Sequence, residues 1–96
     1  MSLSLRSDPS VVWWLYLILC ENGRIYTGIS PHPDLRYAVH RKRKSAHMRI
    51  NKPERLLCAA PIGTYAQACS YERRVKRLSR SDKATLAQAL GGRHSL

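Results

Sequence analysis

Val11-Val12-Trp13-Trp14-Leu15-Tyr16-Leu17-Ile18-Leu19-Cys20 runs straight into Glu21-Asn22-Gly23-Arg24 and then Ile25-Tyr26-Thr27-Gly28-Ile29. Residues 11–20 are rich in β-branched and aromatic residues, the composition of a buried strand. Asn22-Gly23 is a strong hairpin signal, because both residues tolerate positive φ. Residues 24–29 then read as the return strand. A tight turn centred on Asn22-Gly23 pairs residues whose numbers sum to about 45. That register sets Tyr16 near Ile29 and Tyr26 near Leu19, with the two tyrosines offset along the ribbon.

Downstream of the hairpin, Ser30-Pro31-His32-Pro33 breaks the chain. Pro33 or Asp34 can start a helix, with Leu35, Ala38 and Val39 expected along one side. Its far end, Arg41-Lys42-Arg43-Lys44, is polar all round, and residues 45–55 read as a basic loop. A short strand is expected over 56–60, closed by Pro61 and Gly63. Thr64 is placed to cap a second helix reaching about Leu78. Ser79 or Ser81 can cap a third, which ends at Gly91-Gly92. The expected fold is α+β, a three-stranded antiparallel sheet flanked by helices in the order β-β-α-β-α-α. Residues 1–10 read as a flexible leader, 11–92 as the folded domain and 93–96 as a tail.

Length and charge bound the function. Ninety-six residues suffice for one domain. The chain carries 17 Lys and Arg against 6 Asp and Glu, a formal net charge of +11. All the bases except Arg6 and Arg24 lie from Arg36 onward. So lopsided a field favours a polyanionic partner and disfavours a merely soluble surface. The cysteines, Cys20, Cys58 and Cys69, form no C-x-x-C pair. Their odd number argues against a disulfide framework, and buried free thiols suit a reducing compartment. The apolar run 11–20 is too short to span a bilayer, so no membrane association and a cytoplasmic location are expected.

Several chemistries are excluded by what is missing. There is no phosphate loop, no H-E-x-x-H and no G-x-S-x-G. The acids are too few and scattered for a two-metal carboxylate cage. Glu72 is the carboxylate of interest, with Ala68, Cys69 and Val75 beside it at helical spacing. It is either functional or a part-buried acid paired with Arg36 or Arg73. Arg36 and His40 are four apart and share a helix face. An Arg fork suits a phosphate in flight and a His suits proton movement. A solvated Arg and a structural His fit the same spacing. Tyr16 and Tyr26 on the strands are either packing residues or phenols able to accept a proton from water.

Taken in order, Leu15-Tyr16-Leu17, Tyr26-Thr27-Gly28-Ile29, Arg36 with His40, and Glu72 resemble the GIY-YIG nuclease superfamily. The segments 20–29 and 72–80 resemble its small stand-alone members, and the resemblance spans about residues 12–90. The first motif reads Leu-Tyr here where the family's reads Ile-Tyr. The resemblance implies a metal-dependent endonuclease acting on DNA, with branched, flapped or single-stranded DNA as the target by analogy and RNA open as a second substrate. It implies one divalent cation, Mg²⁺ or Mn²⁺, held by Glu72, and a phosphate clamp in Arg36. Tyr16 becomes the general base, supported by His40 and Tyr26. Gly28 is expected to let backbone approach a neighbour or the substrate closely. Arg41, Lys42, Arg43, Lys44, Arg49 and Lys52 are expected to track the phosphate backbone, so that binding weakens steeply with salt. The rival expectation is a non-catalytic nucleic-acid-binding module that keeps the fold. A third is a basic subunit that works with a protein partner.

Overall fold

A computed structural model describes residues 5–42 and 52–91. Three strands, β1 (Trp13–Cys20), β2 (Ile25–Ser30) and β3 (Pro53–Gly63), form one antiparallel sheet in the order β2-β1-β3. Helix α1 (Pro33–Lys42) follows β2, and α2 (Tyr65–Lys76) and α3 (Arg80–Ala89) follow β3. The element order is therefore β-β-α-β-α-α, the α+β architecture expected from the sequence. Among the described residues, no helix is long and apolar enough to cross a membrane.

The central strand separates two apolar clusters by the alternation of its side chains. Leu15 and Leu17 join Ile25, Cys58, Val75 and Ala87 on the face covered by α2 and α3. Tyr16, Ile18 and Cys20 join Leu56 and Ala59 on the other, where Tyr37 of α1 packs. Burying both faces makes β1 apolar along its whole length, which is why its sequence reads as an unbroken hydrophobic run.

The hairpin register differs from the sequence expectation by one residue. Tyr16 pairs with Gly28 and Ile18 with Tyr26, so paired numbers sum to 44. Asn22 does not enter the positive-φ region; Gly23 does so with φ 86°. The Gly23 amide donates to the Cys20 carbonyl at 2.9 Å, and the Cys20 amide to that of Arg24 at 2.8 Å. This is a three-residue loop closed by a left-handed glycine. The Asn22 side-chain oxygen accepts the Arg24 amide at 3.0 Å, which suits Asn22 to its negative φ. From α3, Arg80 donates to the Gly23 carbonyl and Lys83 to that of Ile25, the latter at 3.3 Å. A one-residue slip exchanges the faces of a strand, so this loop is what sets Tyr26 on the same side as Tyr16.

One further expectation is corrected. β3 extends well beyond 56–60 and runs through Pro61. It is an edge strand, where a missing amide leaves no central ladder bond unmade. A register shift between Leu17 and Ile18 brings Leu56, not Leu57, opposite Ile18, so that Leu56 joins the Tyr16 face. On α1, Leu35 and Val39 are 66% and 45% exposed. The helix packs through Tyr37, so the side that carries Leu35, Ala38 and Val39 faces solvent. The helix caps follow the sequence more closely. The Thr64 hydroxyl accepts the Gln67 amide at 3.3 Å and Gln67 Oε1 accepts the Thr64 amide at 2.9 Å, a complete capping box. Ser79, not Ser81, caps α3, accepting the Asp82 amide at 3.1 Å.

Candidate active site

Tyr16 sits at the centre of the central strand with only 2% of its surface exposed. Its cross-strand partner is Gly28. A Cβ at position 28 would run into the ring and hydroxyl of Tyr16. The close approach that Gly28 permits is therefore to a side chain on the neighbouring strand, the phenol of Tyr16. Tyr26 lies diagonally across the same face, with ring centroids 6.4 Å apart and planes tilted by 35°.

Arg36 reaches down from α1 and donates a hydrogen bond to the Tyr16 phenolic oxygen. The charge of Glu72, from α2, is also felt there. Burial pushes the Tyr16 phenol up to about 12, and Tyr26 and the Glu72 charge push in the same direction. Arg36 opposes them, because a guanidinium beside the oxygen favours phenolate. The phenol is thus neutral at physiological pH and sits where a further cation would weaken its hold on the proton.

Glu72 occupies α2 between Ala68 and Val75, which are 0% and 4% exposed, as helical spacing implies. Its side chain keeps 23% of its surface accessible. Its ion-pair partner is Lys76, one turn on, at 3.5 Å, and not Arg36 or Arg73. An i,i+4 pair of this kind contributes about 0.3–0.5 kcal/mol and yields readily to a better ligand. One turn before it, Cys69 is hydrogen-bonded to Tyr65, which raises the Tyr65 phenol. Among the described residues, no three of His, Cys, Asp and Glu cluster as a metal cage. One hard carboxylate with an open side fits a cation that keeps water and takes its remaining ligands from phosphate.

Tyr16, Tyr26, Gly28 and Arg36 thus meet from three elements, and the charge of Glu72 on α2 acts on Tyr16 from electrostatic range. His40 lies one turn beyond Arg36 on the backbone of α1, and its side chain lies outside the described set. Arg41 and Lys42 are exposed at the end of α1, with the Arg41 guanidinium 5.9 Å from the centre of the Tyr37 ring. Lys52 is exposed just before β3. Arg43, Lys44 and Arg49 lie outside the described residues.

Two features escape sequence reasoning. Arg80 and Lys83 read as general basic charge, yet they bind hairpin carbonyls 57 and 58 residues away. A cavity beside the site is lined by Trp14, Pro31, His32, Pro33, Asp34 and Leu35. The available signal for it was parity: Trp14 alternates with Tyr16 and so shares its face, and the two prolines flank His32.

Comparison with known proteins adds to this geometry. The family described as the GIY-YIG catalytic domain matches residues 12–85. A UPF0213 protein of Cronobacter sakazakii is 39% identical over 75 residues, covering 77% of this chain and 79% of its own. The UPF0213 protein XAC3202 of Xanthomonas axonopodis pv. citri is 37% identical over 83 residues, covering 85% and 81%. The UPF0213 protein YhbQ of Escherichia coli is 36% identical over 81 residues, covering 83% and 81%. No solved structure matches the chain.

Proposed function

The chain belongs to the GIY-YIG catalytic-domain family, and from that premise we propose that it is a metal-dependent endonuclease hydrolysing DNA phosphodiester bonds. The observation that carries this reading is one buried phenol, Tyr16, seated against Gly28 and beside Tyr26, with the Arg36 guanidinium bonded to it and the Glu72 charge felt there. A passive nucleic-acid binder gains nothing from Glu72, whose charge repels phosphate.

In this reading Glu72 holds a divalent cation, Mg²⁺ or Mn²⁺. When bound, that cation polarises the scissile phosphate and screens developing negative charge. Arg36 holds a phosphate oxygen through its planar fork and stabilises charge that grows in the transition state. Once its own proton has passed to solvent, the Tyr16 oxygen, as phenolate, takes the proton of the attacking water. Its high proton affinity makes it a strong base once adjacent positive charge admits the phenolate. Tyr26 and His40 support that transfer. Gly28 keeps the space that the Tyr16 ring needs. Arg41, Lys42, Arg43, Lys44, Arg49 and Lys52 draw the strand in through its phosphates.

The test is to incubate the protein with flapped, branched and plasmid DNA in Mg²⁺, Mn²⁺ or chelator, beside Glu72→Gln. Metal-dependent cleavage lost in Glu72→Gln, with DNA binding retained, is the expected result. Cleavage that survives Glu72→Gln rules the mechanism out. Salt-sensitive binding without cleavage of any substrate supports the non-catalytic module instead.

A further inference from the structure

Beside the proposed catalytic phenol is a cavity of about 300 Å³, lined by Trp14, Pro31, His32, Pro33, Asp34 and Leu35. That volume lies at the small end of ligand sites. Trp14 belongs to the Tyr16 side of β1, two residues along and so about 7 Å away. The Arg36 amide donates to the His32 carbonyl at 3.0 Å, which ties the segment lining the cavity to the helix that carries the phosphate clamp.

The cavity is built in advance. The Ser30 side chain, 8% exposed, accepts the His32 amide at 3.0 Å. Pro31 and Pro33 fix φ on either side of His32. A preformed wall costs little to order when it is filled. Leu35, at 66% exposure, presents a bare aliphatic side chain beside Arg36. An indole platform, an aliphatic side chain and a neighbouring guanidinium together suit a flat, apolar-faced group joined to a phosphate.

We propose that this cavity holds one unpaired nucleobase, stacked on Trp14 and wedged by Leu35, of a nucleotide next to the bond that is cut. The inference rests on the nuclease reading and adds a base-holding subsite to it. A base in an intact duplex is paired and stacked and cannot enter. An unpaired base at a flap, a branch or a single strand enters without that cost. Side chains such as Leu hold open base steps in this way, and aromatic platforms bind bases of any sequence.

The experiment measures binding of a fluorescent flapped DNA in chelator, with single nucleotides around the junction replaced in turn by an abasic analogue. One abasic position is expected to weaken binding about fivefold or more, the scale of a single stacking contact. Leu35→Ala, an exposed change that leaves the melting temperature unaltered, is expected to abolish that dependence. It should leave binding to perfect duplex unchanged. Trp14→Leu provides the second variant, judged by the same ratio of flapped to duplex affinity. Equal binding to abasic and intact flaps at every position overturns the proposal. So does a Leu35→Ala loss that is the same for flap and duplex. Base-dependent binding without metal-dependent cleavage retires the nuclease and keeps the cavity. Cleavage indifferent to the base does the reverse. No binding to any DNA overturns both.

Discussion

Tyr16 and Gly28 face each other across β1 and β2, and the phenol of the first fills the space that a side chain on the second would take. Gly28→Ala is therefore expected to lower stability by about 1–3 kcal/mol, the range for overpacking a filled core. Cleavage should fall with it, because the ring must move. Denaturant unfolding of Gly28→Ala, Tyr16→Leu and the double variant measures the coupling. The double variant is expected to be more stable than the two single losses add up to. Simple additivity would show that the two positions do not compete for one space.

Alkaline pH probes the same phenol. Its folded value of about 12 lies above the ordinary 10. The folded state therefore holds the proton more tightly than the unfolded chain. The associated stability is complete below pH 10 and is lost as pH rises through 12, about 2–3 kcal/mol in all. Tyr16→Phe should flatten the fall of stability between pH 10 and 12. An unchanged slope in that variant would assign the loss to other groups.

Arg36 opposes the burial of Tyr16. Removing it in Arg36→Gln should raise the phenol still further, visible as a tyrosine ionisation moving to higher pH in the ultraviolet spectrum. Cleavage is expected to fall roughly a hundredfold, the scale for losing one donor to a charged transition state. A variant that cuts normally while its tyrosine titration moves would separate the two roles.

Thiol chemistry reads out burial. Burial raises the Cys58 thiol to about 11 and raises Cys20 as well. Cys69 is only partly buried. A thiol-specific reagent at neutral pH should modify Cys69 first and Cys58 only on unfolding. Rapid modification of Cys58 in the folded protein would contradict the packing described.

The features legible in the sequence are those set by neighbouring residues. Thr64 with Gln67, Ser79 and the apolar run of β1 announce themselves locally, and so does the element order. The hairpin register does not. Asn22-Gly23 permits more than one loop, and bonds from Arg80 and Lys83 hold the one observed. The packing of α1 is not legible either, because a single residue, Tyr37, docks the helix while Leu35 and Val39 stay exposed. At the site, residue types alone left Tyr16, Tyr26, Arg36 and Glu72 open, and it was the order of their motifs, resembling a known family, that joined them. Their meeting around one phenol depends on which face each strand residue takes, and that follows from the register. The cavity beside them was hidden because Trp14 looked like one more core residue in an apolar run.

The three-residue hairpin loop carries a final consequence for sequence variation. Tyr16 and Tyr26 share a face because the closing pair, Cys20 and Arg24, fixes an even sum along the ladder. With the three-residue loop kept, deleting one residue before the return strand, or adding one, slides the pairing by one and sends one tyrosine into the layer beneath α2. Adding two slides it by two and leaves both phenols on one face. The tip of the hairpin should thus tolerate length changes in steps of two and reject steps of one, though none of its residues belongs to the proposed site.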